Sequence, residues 1–146
     1  MNPVMYILLP SPEKLEMTTG KAAAQAAHAA VQAFQLSDAS AINRWLLAGH
    51  YTKIVLMTDN LHNAYAYIRN RGFNCELILD EGRTEFEDDL TPTAIGVEIL
   101  DKNSLHVRET FGAFKLYTEP RLPDSTKPQN GRRAFWRKVD KVKEMK

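Results

Sequence analysis

A single cysteine, Cys75, stands among 146 residues, which excludes an internal disulfide and a zinc site built on paired thiolates. It lies in an apolar run and reads as a buried strand residue. Long apolar runs are missing too. The longest, at residues 4–10 and around 54–57, fall far short of the roughly 20 residues a membrane-spanning helix needs. The start has no basic n-region, and no A-x-A cleavage site directly follows its short apolar run. A signal peptide is therefore not expected, and the chain reads as cytosolic. Common catalytic signatures are also lacking: there is neither a G-x-S-x-G elbow for a serine nucleophile nor an H-E-x-x-H pair for zinc. His50, His62 and His106 are scattered and read as exposed or locally bonded. No internal repeat or low-complexity tract breaks the chain.

What is present is an ordinary globular composition, 44% hydrophobic and 25% charged, in a chain of one domain's length. The net charge of +1 conceals an asymmetry. Residues 1–118 carry ten Lys and Arg against fourteen Asp and Glu, a balance of −4, whereas residues 119–146 carry nine against four, or +5. The body is mildly acidic and the end is basic, which matters because affinity for phosphate comes mainly from Lys and Arg. Residues 1–118 read as the folded domain. Residues 119–129, with Pro120, Pro123 and Pro128, read as a linker, and residues 132–145 as an amphipathic basic helix.

Strands and helices alternate along the body. Residues 4–9 form a short apolar strand that Pro10 and Pro12 end. Thr18 or Thr19 can cap a following helix, because a threonine hydroxyl accepts from an unpaired N–H of the first turn. Residues 21–34 are Ala-rich, and alanine is the strongest helix former. Residues 37–40 interrupt, and a second helix over 41–48 carries Trp45 and stops at Gly49. A strand over 53–57 leads to Asn60, the cap of a third helix that runs to Arg71 and ends at Gly72. Strands are expected at 75–79 and 93–99, a short helix at 101–109, and an extended piece at 114–117. This order predicts an α/β fold with helices covering the sheet.

Two clusters carry chemistry. In the Ala-rich helix the polar residues are Lys21, Gln25 and His28, spaced i, i+4, i+7 and hence on one helix face. Every other position from 22 to 30 is Ala, which lets the helix lie close against a neighbouring layer. A solvent-facing stripe explains the spacing as well as a functional one does. Lys21, however, falls in the first turn, where the macrodipole disfavours a cation unless an anion faces it. The second cluster, Asp80-Glu81-Gly82-Arg83-Thr84, directly follows the third strand, and ligands of open α/β sheets gather outside strand carboxyl ends. Gly82 permits a tight turn that brings Thr84 near Asp80. Thr91-Pro92-Thr93 adds hydroxyls at the entry to the fourth strand. A polar loop with an Asx turn is a common alternative for the Asp80 cluster, and ordinary loop and strand chemistry is the favoured reading of the threonines.

Taken together, the segments resemble the type II peptidyl-tRNA hydrolase family. The resemblance rests on Gly20-Lys21-Ala22-Ala23-Ala24-Gln25-Ala26-Ala27-His28-Ala29, on Trp45-Leu46, on Lys53-Ile54-Val55-Leu56 and on Asp80-Glu81-Gly82-Arg83-Thr84. It continues through Thr93-Ala94-Ile95-Gly96 and Gly112-Ala113-Phe114-Lys115-Leu116. The resemblance implies a three-layer α/β/α domain around a mixed, roughly four-stranded sheet. It further implies hydrolysis of the ester between peptide and tRNA without metal or organic cofactor. Lys21, Asp80 and Thr84 match the residues thought to carry the reaction, and Gln25, His28 and Thr93 match residues lining the same site.

The chain departs from the family in four places. Leu8-Leu9-Pro10-Ser11 stands where the family's first strand ends in Val-Val-Arg-x-Asp, and Asp80-Glu81-Gly82 replaces Asp-Ala-Gly. Gly96-Val97 replaces Gly-Pro, and the usual short members have no counterpart of the tail beyond Glu119. In that tail, Arg132, Arg133, Arg137 and Lys138, with Trp136 among them, either track a tRNA backbone or form a solvated helix whose aromatics dock on the body. The expected partner is peptidyl-tRNA, with a second copy of the chain left open and no membrane. The competing reading is a catalytically silent module that keeps the fold and binds RNA or a protein.

Overall fold

A computed structural model describes residues 2–80 and 90–118. Strand β1, Pro3–Pro10, is buried along its whole length. Its side chains divide by the two-residue period of a strand. Val4, Tyr6 and Leu8 enter one apolar core, while Met5, Ile7 and Leu9 enter another. A strand buried on both sides needs a layer on each face, and this is the three-layer arrangement expected from the sequence. Each fully buried Leu, Ile or Met contributes about 1.5–3 kcal/mol, so β1 ties the two cores together.

Helices α1 (Thr19–Leu36) and α2 (Ala39–Leu47) cover the face that holds Met5, Ile7 and Leu9. Thr18 caps α1 by accepting from the Lys21 N–H at 3.2 Å, and Asp38 caps α2 by accepting from the Ala41 N–H at 2.7 Å. Trp45 is buried under α2 and donates from its indole nitrogen to the Thr52 carbonyl at 3.1 Å. Helices α3 (Leu61–Asn70, capped by Asn60) and α4 (Leu105–Phe111) cover the opposite face, where Tyr6 stacks on Phe111. His106 belongs to this side and is locally bonded. Its Nε2 donates to the Arg71 carbonyl at 2.7 Å.

The remaining strands are β2 (Lys53–Thr58), β3 (Cys75–Asp80), β4 (Thr91–Val97) and two two-residue pieces, β5 (Leu100–Asp101) and β6 (Lys115–Leu116). The sheet order is β3-β4-β1-β2-β6, with β5 paired to the start of β1. β1 and β2 are parallel, and β4 runs antiparallel to both β1 and β3.

Most element boundaries differ from the sequence reading by one or two residues, and two elements are displaced as a whole. β4 starts at Thr91 and ends at Val97 rather than spanning 93–99, and the last helix begins at Leu105 rather than at Asp101. The second difference traces to the Asp101 side chain. The Asp101 carboxylate accepts from the backbone N–H groups of Asn2 and Asn103, both at 3.0 Å, so the chain turns there before any helix starts. Those two donors also hold its carboxyl below the usual carboxylate range. Cys75 is the buried strand residue that its apolar surroundings implied, and burial pushes its thiol up to about 11.

Close approach of α1 to the sheet depends on one glycine. A Cβ at Gly96 in β4 would lie 2.1 Å from the carbonyl oxygen of Ala29. The helix backbone therefore rests directly on the strand backbone. The alanines of α1 allow this on one side and Gly96 on the other.

Candidate active site

The parallel relation of β1, β2 and β3 puts the ends of all three strands on one edge of the sheet, together with the start of β4 and the first turn of α1. Asp80 is the last residue of β3. It lies two residues beyond Ile78, whose side chain is in the α1-side core, so strand alternation sends Asp80 toward α1 as well. Lys21 comes down from the first turn of α1. Its Nζ lies 3.1 Å from Asp80 Oδ2, and the two side chains retain only 12% and 13% of their exposure.

This contact is an ion pair whose angles fall outside hydrogen-bond geometry, since the buried Oδ2 accepts no hydrogen bond among the described residues. Asp80 therefore neutralises the cation that the helix dipole disfavours while keeping acceptor capacity of its own. A carboxylate with a spare lone pair beside an ammonium, largely withdrawn from water, can take a proton from a bound hydroxyl and stabilise an oxyanion nearby.

One turn further along α1, Gln25 is buried and accepts at Oε1 from the hydroxyl of Thr93 at 2.5 Å. Thr93 reaches it because of an irregularity in β4. Ile78 pairs with Ala94 and Leu79 with Pro92, so the register shifts across Thr93. Proline has no N–H to give the ladder and is tolerated in strands at such bulges. The extra residue departs from strict alternation, and its hydroxyl lies within 3.5 Å of the Ile78 carbonyl as well. Thr93 is fully buried, so it acts on the site through Gln25. A Thr93→Val protein keeps the shape but deprives Gln25 of its donor. We expect a loss of about 1–3 kcal/mol in stability from the unmet amide oxygen. Chemical denaturation checks this, and a midpoint unchanged from wild type would show that the pairing contributes nothing.

Residues 4–117 match the family model described as peptidyl-tRNA hydrolase PTH2. The chain belongs to this family. Among its relatives, a peptidyl-tRNA hydrolase of Methanococcus maripaludis is 39% identical over 97 residues, covering 62% of this chain and 83% of the relative. One from Halobacterium salinarum is 37% identical over 84 residues, covering 56% and 73%. One from Pyrobaculum aerophilum is 34% identical over 116 residues, covering 70% and 89%.

Of the residues singled out as a PTH2 site, the structure brings together Lys21 with Asp80 and Gln25 with Thr93. His28 is exposed on α1, so the polar stripe divides into a buried member, a nearly buried one and a solvent-facing one. Thr84 lies outside the described residues, as do Arg132, Arg133, Trp136, Arg137 and Lys138 of the tail. Pro10 and Ser11, part of the first-strand segment that departs from the expected pattern, are buried at the end of β1.

Sequence reasoning missed the Gln25–Thr93 pairing and the steric demand at Gly96. The proline inside Thr91-Pro92-Thr93 was the available sign of a bulge. Among the described residues no helix is long and apolar enough to cross a membrane. Among those same residues no three His, Cys, Asp or Glu side chains are grouped so as to hold a metal ion.

Proposed function

We propose that this chain hydrolyses the ester joining a peptide to the terminal ribose of tRNA, with Asp80 and Lys21 as the reacting pair. Membership of the peptidyl-tRNA hydrolase PTH2 family supports the activity. The observation that carries the site assignment is the 3.1 Å contact between Lys21 and Asp80 at the strand-end edge of the sheet.

In this reading a water oxygen attacks the ester carbonyl carbon while Asp80 orients it and takes its proton. Negative charge gathers on the former carbonyl oxygen, where the Lys21 ammonium stabilises it. The tetrahedral intermediate then collapses. The C–O bond to the ribose breaks, the ribose oxygen receives the proton, and the products are a peptide acid and free tRNA. Gln25, with Oε1 held by Thr93, turns its amide nitrogen toward a carbonyl or the 2′-hydroxyl of the ribose. Thr84 supplies a further hydroxyl that positions the ester, and the exposed His28 contacts substrate at the rim. A silent binding module has no physical need for a nearly buried carboxylate and ammonium in contact, so the enzymatic reading is favoured.

The test is release of peptide from purified peptidyl-tRNA by the purified chain. Many turnovers per protein molecule are expected, without added metal. Release no faster than in buffer would refute the reading.

A further inference from the structure

A second feature opens on the same edge of the sheet. A cleft of about 590 Å³ is lined by residues that include Ser11, Glu13, Met57, Asp59, Phe114 and Lys115. It lies at the ends of β1 and β2 and beside β6. Met57 pairs with Leu9 on one side and Lys115 on the other, and Leu9 belongs to the α1-side core. Paired residues share a face, so Met57 and Lys115 point to the side of the sheet on which Lys21 meets Asp80. The segment after β1 joins the two places, since Ser11 and Glu13 line the cleft and Thr18 caps α1 a few residues on.

We infer that this cleft receives the peptide moiety of the substrate, a few residues back from the ester, in an extension of the function proposed above. Charge decides which part of peptidyl-tRNA belongs here. Among the described residues the lining carries the carboxylates of Glu13 and Asp59 against the single ammonium of Lys115, a balance that disfavours an RNA backbone with its phosphates. A peptide backbone carries no charge to repel. Its N–H groups find carboxylate and threonine oxygens, and its side chains find Met57, Phe114 and Pro12. Distance agrees. β3 and β2 are three strand spacings apart in the sheet order, or roughly 14 Å, which an extended peptide spans in about four residues. A peptide anchored at the Lys21–Asp80 pair would thus cross the strand ends and reach the cleft, whereas a single acylated amino acid would not.

The experiment compares kcat/KM of the full chain for N-acetyl-aminoacyl-tRNA and for pentapeptidyl-tRNA on the same tRNA. The expected result is a preference of about tenfold for the longer substrate. Ala113→Trp, which fills the cleft, is expected to reduce that ratio to near one. Glu13→Lys supplies the independent control. With peptide in the cleft, the slope of log kcat/KM against log salt stays as in wild type. A steeper slope with tighter binding of both substrates identifies RNA as the occupant and overturns the inference. Equal rates on both substrates in the wild-type chain overturn it too, while leaving the proposed hydrolase activity standing. Hydrolysis of neither substrate removes both.

Discussion

Asp80→Asn is expected to lower kcat for peptidyl-tRNA hydrolysis by about 10²–10⁴-fold, the usual contribution of a positioned general base. The amide keeps the size of the carboxylate but cannot take a proton from water. Lys21→Met should cost a similar factor, because among the described residues its ammonium is the only cation in contact with Asp80 Oδ2, and the oxyanion would lose its charge partner. In the proposed mechanism the two groups act on one proton and one developing charge, so their effects should not multiply. The double variant is expected to be no slower than the worse single one. Each single variant also leaves a nearly buried pair half-made, so far-UV circular dichroism at the assay temperature must accompany the kinetics. If Asp80→Asn retains activity within about threefold of wild type while folded, Asp80 is not the base and the site must be sought elsewhere.

Gly96→Ala should be the most damaging small substitution in the sheet. The added carbon would sit 2.1 Å from the Ala29 carbonyl oxygen, and the atoms it meets are backbone, which cannot swing aside like a side chain. Relief requires α1 to move off β4. Overpacking of this kind costs about 1–3 kcal/mol. The functional loss should be larger than the stability loss implies, because α1 carries both Lys21 and Gln25. A shift of about 1 Å in such groups can cost 10²-fold in rate. Gly20→Ala provides the matched comparison, since a Cβ there meets nothing within 4 Å. Thermal melting should show Gly96→Ala lower by several degrees and Gly20→Ala near wild type. Equal melting temperatures for the two would mean that α1 does not rest on β4 as described.

Much of the architecture was legible in the residues, for local reasons. Thr18 and Asn60 each accept a backbone N–H in the first turn of the helix they precede, and a short polar side chain before an apolar-periodic run signals this directly. Gly72 takes φ +94° after α3, a conformation that glycine reaches without steric cost. The start of β4 and of α4 were less legible. The first depends on a bulge that appears only when Thr91-Pro92-Thr93 is paired with β3, and the second on an Asp101 carboxylate that reaches back to Asn2. Both are contacts between segments distant along the chain.

What the sequence determined by itself was the inventory: capped helices, an alanine face, a short apolar first strand, a Lys21 that periodicity places on one helix face, and an Asp80 just beyond the third strand. Helix and strand periods act over a few residues, so these properties travel with the residues wherever the segment ends up. Only the tertiary structure decided that Lys21 and Asp80 meet, that Thr93 is committed to Gln25, and that Ser11, Met57 and Lys115 share a cleft. The order of strands across the sheet and the resting distance of α1 on Gly96 set those meetings. Both arise from packing whole layers against one another, which no window of local sequence contains.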